Sequence, residues 1–396
     1  MFKYFSLSNM VAGFVAVMVG FTGSAVLVFQ AATAAGASPA EVSSWLFALG
    51  LSMTLSCVGL SLYYRIPILT GWSTPGAALL ATSLTGVPMA EAVGAFLFAA
   101  LLTIIFGITG WFEKLIKHIP KALSSAMIAG ILLRFGLDVF TAMQSQFLLI
   151  GTMLVTYLFG KRLMPRYVIV LVLLAGIIVA QYQGLFNLEH FHFALAMPIF
   201  TAPVFTVSTL ISIGVPLFIV TMTSQNIPGV TVLHSAGYHP PISKVISWVG
   251  IVNFLLAPFG SYSICLAAIT AAICSSPEAD ADPTRRYRAT IFAGICWLII
   301  AVLGATIVAL FFAFPKQLVL ALAGLAVFST IGSSLKHALD DEKHRESALI
   351  TVLVSASGFS LLGMGAAFWG LIAGIGASLI LNWRKQSYIL PAVTSS

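Results

Sequence analysis

The sequence predicts an all-α protein that crosses a membrane many times, and three observations support that fold class. Of its 396 residues, 59% are apolar and only 8% are charged, whereas about a quarter are charged in an ordinary globular chain. The mean hydropathy of +1.04 excludes a soluble fold, since so few charged side chains could not cover its outside. The apolar residues also form runs of bilayer length, without the alternation that marks a membrane β-barrel.

These runs divide into fourteen expected membrane segments, because a spanning helix needs about 20 mainly apolar residues. Segments 3 and 10 are too short to cross as helices, and each follows a stretch rich in Gly and Pro. A matched pair of interrupted segments is typical of a transporter binding site, so both are predicted to be half-helices. The segments cover residues 8–30, 44–64, 74–86, 90–111, 121–138, 145–160, 166–182, 207–227, 242–257, 262–275, 288–313, 316–332, 346–361 and 363–383.

Two sequence matches that share one offset indicate an internal repeat. Gln225 follows Gln30 by 225 − 30 = 195 positions, and "FPKQL" follows "IPKAL" by 315 − 120 = 195 at its proline. Seven segments in each half would invert the second copy in the membrane, which predicts a 7+7 inverted repeat. With both termini cytoplasmic, all but Arg134 and Lys316 of the 19 Lys and Arg residues fall on the cytoplasmic side, in agreement with the positive-inside rule.

The residues that begin the two half-helices are the first candidates for a binding site. Thr74 is a good N-cap, and Pro75 suits the first helical position, where no N–H is needed. In the second repeat, Ser261 or Ser263 is expected to cap a helix that starts near Ile264. Two helix N-termini that face one another make a positive site without any cation, which favours an anionic ligand. Two kinks with packing roles are the alternative.

Segment 8 concentrates polar side chains near its end, where lipid would penalise them unless they face the protein interior. There they either line a site or form hydrogen bonds between helices, and Gln30, the repeat partner of Gln225, is open to the same two interpretations. Aromatic residues beside the half-helices are expected to form an apolar wall or to lie in an interfacial belt. The polar residues are Thr221, Thr223, Ser224, Gln225 and Asn226, and the aromatic ones are Trp72, Phe259 and Tyr262.

Other kinds of chemistry find little support in the sequence. Carboxylates at the edges of segments are limited to Glu91 and Asp138, so a proton relay is not indicated. The four Cys residues form no CxxC pair and have no His at metal spacing, so no metal and no cofactor are predicted. Basic residues at segment ends set topology rather than bind nucleic acid. No nucleophile–base pair is evident, so an enzyme is not expected.

Three stretches resemble the benzoate–proton symporter family of BenE type. They are "TSQNIPGVTVL" at 223–233, "LAAITAAICSSPEADADPTRRYRA" at 266–289, and "APFG" at 257–260. The resemblance covers essentially the whole chain. Where the family pattern reads roughly "FGGHAVNLAAITAAIC", this chain has "FGSYSICLAAITAAIC", so Tyr262 replaces a His and Cys265 replaces an Asn.

The resemblance implies the fold of uracil–proton symporters and sulfate-type anion transporters, with substrate bound between the third and tenth segments. Residues 1–112 and 200–313 would form a core domain that moves against a gate domain made of residues 113–190 and 314–396. The substrate-binding candidates, from the residues and the resemblance together, are Gln30, Ser73, Thr74, Pro75, Gly76, Gln225, Asn226, Gly260, Ser261 and Tyr262.

The expected function is proton-coupled uptake of benzoate or a related aromatic carboxylate across the inner (plasma) membrane by alternating access. The scarcity of buried acids favours a proton that travels on the substrate itself. A nucleobase carrier, another anion carrier of the same fold, and a channel are the alternatives. The expected partners are the small aromatic acid, protons and the lipid bilayer, without nucleic acid, and the resemblance allows a homodimer.

Overall fold

The computed structural model describes residues 4–22, 24–111, 121–165, 168–186, 193–359, 361 and 366–382. Three predicted features lie outside these residues. They are the two termini, which are expected on the cytoplasmic side, the first core–gate boundary near residue 113, and the end of the first gate segment near residue 190.

Helices form nearly all of the regular structure in the described part of the chain. In chain order they are α1 (Leu7–Thr22), α2 (Ala25–Ala34), α3 (Pro39–Tyr64), α4 (Thr74–Ser83), α5 (Met89–Thr109), α6 (Lys121–Met143), α7 (Phe147–Leu163), α8 (Val168–Tyr182), α9 (Val207–His234), α10 (Ile242–Leu256), α11 (Ile269–Ser275), α12 (Tyr287–Val302), α13 (Gly304–Ala313), α14 (Lys316–Leu339), α15 (Arg345–Ala356) and α16 (Ala366–Asn382).

Several of the described helices can cross a membrane, as the sequence predicts. Six are long and apolar enough, and eight segments qualify if each of two bent helix pairs counts as one. One pair joins α1 to α2 with a bend of 40°, so the first predicted segment is two helices rather than one. The other joins Pro283–Val302 to Gly304–Ala313 with a bend of 64°. The full count of fourteen segments stays a prediction.

The helices pack in two groups that alternate along the chain. In the first group, α3 packs against α12 and α13, α5 against α10, and α2 against α4. In the second group, α6 packs against α14, α15 and α16, and α7 against α8. The groups meet where α4 and α9 touch α6 and where α2 touches α14.

A short β-ladder is the one departure from the all-α prediction in the described residues. Strands β1 (Thr70–Trp72) and β2 (Ile264–Leu266) run antiparallel, with Gly71 opposite Cys265. The ladder is extended by the Ser73 N–H, which donates to the Ser263 carbonyl at 3.0 Å, and by the Ala267 N–H, which donates to the Leu69 carbonyl at 3.0 Å. Non-helical backbone at membrane depth must find its hydrogen bonds within the protein, and these two segments satisfy each other.

Candidate functional site

The β-ladder brings together the two stretches that lead into the half-helices. β1 ends at Trp72 and α4 begins at Thr74, while β2 ends at Leu266 and α11 begins at Ile269. The two helix starts differ by 269 − 74 = 195 positions, the same offset that the sequence matches show. The predicted meeting of the two half-helix segments is therefore present in the structure.

The N-terminus of α4 is capped one residue earlier than the sequence analysis expects. The cap is Ser73, whose Oγ accepts a hydrogen bond from the Gly76 N–H at 3.1 Å. Thr74 is the first helical residue, and its N–H has no acceptor within the helix. Pro75 follows at a position where a missing N–H is harmless. The prediction of Thr74 as the cap is wrong, because the extended backbone needed at the cap is that of Ser73.

The second half-helix begins later than predicted. Ile264 lies in β2, and α11 has only seven residues, with Ala268 at its N-cap and no side-chain capping bond. Neither Ser261 nor Ser263 caps this helix, so that prediction is wrong. The physical reason is that the backbone of residues 263–267 pairs with residues 69–73 and cannot also form a helical turn.

A buried cluster of hydroxyl groups joins α4, α9 and residues 260–263, which lead into β2 and are called the β2 lead-in here. Thr221 Oγ1 donates to Ser73 Oγ at 2.9 Å and lies 3.0 Å from Ser263 Oγ, which is therefore left to donate to Thr221. The Tyr262 hydroxyl donates to the Ser73 carbonyl at 3.0 Å. All four side chains are buried and none is charged. The cluster therefore holds the Ser73 cap in place through neutral groups alone.

Helix α9 widens into π-type turns at Leu210–Gly214 and Met222–Asn226, each shortly before a proline. Pro216 and Pro228 cannot donate to the carbonyl four residues earlier and their rings crowd it, so the preceding turn opens. The sequence predicts that this segment ends near residue 227. The structure instead continues the helix to His234.

The second π turn aims its polar side chains in different directions. Asn226 Oδ1 accepts from the Leu266 N–H at 2.9 Å and so ties α9 to β2. The hydroxyls of Thr223 and Ser224 bond back to carbonyls of their own helix. At Gly229, a Cβ atom would stand 2.6 Å from Leu266 Cβ, so only glycine allows α9 to cross the strand this closely. Thr221 and Asn226 thus bond to other elements, which is close to the alternative of hydrogen bonds between helices, whereas Thr223 and Ser224 bond only within their own helix.

Gly260 and Ser261 lie behind the β2 lead-in. Gly260 has φ 105°, and a Cβ atom there would stand 2.0 Å from Trp45 Cδ1. The Ser261 hydroxyl donates to Asn253 Oδ1 at 2.8 Å and lies 3.0 Å from Ser52 Oγ. Both residues are predicted to bind substrate, and the structure uses them to hold the lead-in against α3 and α10.

Three predicted residues keep polar groups that the protein does not use. Thr74, Gln30 and Gln225 are half-buried, and their side chains form no hydrogen bond with any described residue. Each lies on an element that touches the second helix group: α4 and the Met222–Asn226 turn touch α6, and α2 touches α14. The three elements that carry these unpaired groups therefore lie at the boundary between the two helix groups.

The aromatic residues near the half-helices pack inside the protein. Trp72 donates from Nε1 to Ser24 Oγ at 2.7 Å, and its ring lies 5.1 Å from that of Trp297. Tyr262 is fully buried beside Trp45 and Phe96. Glu91, one of the two carboxylates at segment edges, accepts from the Thr206 hydroxyl at 2.9 Å. The described residues contain no cluster of His, Cys, Asp and Glu that could hold a metal ion.

Comparison with known proteins decides the family. The model of the family called benzoate membrane transport protein (BenE) matches residues 3–380. The chain belongs to the BenE family. Inner membrane protein YdcO of Escherichia coli is 45% identical over 374 residues, which cover 94% of this chain and 96% of that protein. The benzoate membrane transport protein of Acinetobacter baylyi is 37% identical over 382 residues, which cover 96% and 97%.

Solved structures show that the BenE chain shares its fold with anion transporters. The transmembrane domain of the cyanobacterial bicarbonate transporter BicA aligns with a TM-score of 0.59 at 14% identity and covers 93% of this chain and 97% of that one. The structure of SLC26A9 aligns with a TM-score of 0.62 at 12% identity and covers 96% and 66%. The resemblance to sulfate-type anion transporters that the sequence implies is confirmed at the level of fold.

Proposed function

We propose that this BenE-family transporter carries benzoate or a related aromatic carboxylate into the cell together with protons, by alternating access. The curated relative from Acinetobacter baylyi, named as a benzoate transport protein, supports the substrate. The Escherichia coli relative, named as an inner membrane protein, supports the location. The observation that carries the proposal is the pair of unused donors at the start of α4, the Thr74 N–H and hydroxyl, which the β-ladder and the Ser73 cluster hold in place.

The carboxylate binds at the N-terminus of α4. The Thr74 N–H has no helical acceptor and the Thr74 hydroxyl has no partner in the described chain, so both are free to donate. The positive end of the ten-residue helix adds at most about 2 kcal/mol for a negative charge. Removing water from a carboxylate costs several kcal/mol. Binding without a cation is therefore weak, which suits a carrier that must release its substrate.

The proton travels on the substrate. Protonating a carboxylic acid that resembles Glu, with a pKa of about 4.3, costs roughly 3.7 kcal/mol at pH 7. The free energy of protonation is thus comparable to the free energy of removing water from the anion. Carrying the neutral acid across therefore costs no more than carrying the dehydrated anion. We expect single replacements of Glu91, Asp138 and His234 to leave proton-coupled uptake in place. Loss of coupling in one of them, with benzoate binding intact, would assign the proton to that side chain instead.

Alternating access then moves the two helix groups relative to each other. Residues 1–112 and 200–313 act as the core that carries the site, and residues 113–190 and 314–396 act as the gate. The boundary at which α2, α4 and α9 touch α6 and α14 supports this division, because the unpaired polar groups lie on those three helices. Substrate held at the boundary is exposed to either side as the groups tilt.

Uptake of radiolabelled benzoate into proteoliposomes tests the proposal. Thr74→Ala removes a hydrogen bond to a charged group, worth about 1.5–3 kcal/mol, so we expect the KM for benzoate to rise roughly tenfold or more. Thr152→Ala is the matched control, because that exposed hydroxyl bonds only to the Leu148 carbonyl of its own helix. Equal KM values in the two variants would contradict the site.

A nucleobase is the second candidate substrate. The unpaired amides of Gln30 and Gln225 favour it, since each offers a donor and an acceptor that a nucleobase edge can pair with. Competition separates the two. In the first case labelled benzoate is taken up and excess uracil or purine leaves its uptake unchanged, whereas in the second case labelled uracil or purine is taken up and excess benzoate leaves that uptake unchanged.

A further inference from the structure

A cavity of about 480 Å³ lies away from the candidate substrate site, between the end of α3, the loop after α9 and the start of α12. Three arginines line it, namely Arg65, Arg285 and Arg288, together with Tyr238 and Tyr287. No carboxylate lines it in the described residues. The cavity therefore concentrates positive charge in a concave surface.

Asp282 and Asp280, two carboxylates near the cavity, do not cancel this charge. Asp282 Oδ2 lies 3.1 Å from Arg285 Nε, but both side chains are largely exposed, at 41% and 59%, so this pair is weak. Arg65 has no ion-pair partner among the described residues, and its exposed side chain follows the last residue of α3. Asp280 accepts from Asn9 and from the Asp282 backbone rather than from a lining arginine.

Arg288 carries a polar group that the protein leaves unsatisfied. Its Nη1 donates to the Tyr4 carbonyl at 2.8 Å, and its guanidinium lies 4.6 Å from the centre of the Tyr4 ring. The Nε–H of the same side chain is buried without any hydrogen-bond partner. An orphaned buried donor is costly, and the Tyr4 carbonyl satisfies only part of this guanidinium.

Helix α12 contributes two lining residues, Tyr287 and Arg288. The 3-10 turn Pro283–Arg285 leads into this helix, and the Asp282 side chain caps that turn by accepting from the Thr284 N–H. Burial raises the pKa of Tyr238, so its hydroxyl stays protonated at neutral pH and continues to donate to the Pro283 carbonyl.

The surroundings of the cavity place it at the level of the lipid headgroups. Tyr63 and Tyr64 end α3 directly before Arg65, and the Tyr63 side chain is 80% exposed. Tyrosines at the ends of spanning helices mark the boundary between hydrocarbon and water. Three arginines with planar, forked donors at that depth suit a phosphate group.

We propose that this cavity is a binding site for a phosphate-type anion, independent of the transported substrate. The phosphate group of an anionic phospholipid and free inorganic phosphate share this chemistry, and the experiment separates them. The arginines of the cavity determine binding, and the substrate site is not involved.

Native mass spectrometry of the purified full chain in neutral detergent tests the proposal. Phosphatidylglycerol, phosphatidylcholine or inorganic phosphate is added to the wild type, to Arg65→Gln and to Arg285→Gln. Both arginines are exposed, so the variants are expected to fold. Each charge is worth about 1 kcal/mol toward an anionic headgroup, so we expect roughly fivefold weaker binding of the anion per variant. Arg162→Gln, an exposed arginine at the end of α7, is the matched control and leaves binding unchanged.

The outcomes are distinct. Binding of phosphatidylglycerol over phosphatidylcholine that weakens in the two variants assigns the site to a lipid. Binding of inorganic phosphate, or its displacement of the lipid, with the same loss in the variants assigns it to a soluble anion. Binding that is equal in Arg65→Gln, Arg285→Gln and Arg162→Gln overturns the proposal.

Discussion

The lead-ins to the two half-helices occupy equivalent places along the chain but are held by different interactions. The stretch before α4 is held in place by side-chain hydroxyl groups, because Ser73 caps the helix and bonds to Thr221. Before α11, the backbone is fixed by an amide from α9, Asn226, and by the close approach of Gly229. The α4 side ends in a ten-residue helix, whereas α11 has seven residues and no side-chain cap.

We propose from this difference that the two half-helix segments have different tasks. The α11 side is held in place, because β2 is hydrogen-bonded to Asn226 of α9 and the preceding Gly260 packs against Trp45. The α4 side presents an N-terminus whose first residue, Thr74, still has donors to offer. The sequence predicts a symmetric pair of anion-binding N-termini; we propose instead that α4 binds the anion and that the α11 side supports it.

The largest effect is expected at Asn226, where β2 is hydrogen-bonded to α9. Asn226→Ala leaves the buried Leu266 N–H without an acceptor, which costs about 1–3 kcal/mol, so the thermal unfolding temperature falls with or without benzoate. Asn382→Ala is the control, because that amide bonds only to the Ser378 carbonyl at the end of α16. An unfolding temperature that falls equally in both variants would show that Asn226 does not hold β2 in place.

A smaller and more selective effect is expected at the α4 cap. Ser73→Ala removes the N-cap and the partner of Thr221, and Ser38→Ala removes the N-cap of α3, whose capping box with Glu41 is exposed. Each loses about 1 kcal/mol of stability. Only Ser73→Ala is expected to lower Vmax/KM for benzoate uptake, by about tenfold, because Ser73 positions Thr74. A similar loss of uptake in Ser38→Ala would show that the lower Vmax/KM of Ser73→Ala comes from lost stability and not from the position of Thr74.

The sequence was sufficient to predict the membrane class, the two interrupted segments and the family. Composition and charge spacing carry that information locally, and Pro75 and Pro258 mark the two interrupted segments without knowledge of contacts. The β-ladder could not be predicted, because it pairs residues 70–72 with 264–266 and neither stretch has strand-like alternation.

The site was predicted only in part for the same reason. Whether a serine caps, bridges or binds depends on which distant group it meets: Ser261 meets Asn253, and Ser263 meets Thr221. Ser73 and Thr74 were both candidates, but only the backbone shows that Ser73 is the cap and that Thr74 keeps its donors.

We propose that the substrate carboxylate binds the N-terminus of α4 and not that of α11. A structure of the full chain with bound benzoate measures this directly. We expect a carboxylate oxygen within hydrogen-bonding distance, about 3 Å, of the Thr74 backbone nitrogen or hydroxyl. A carboxylate bound at Ile269, or away from both half-helices, would contradict it.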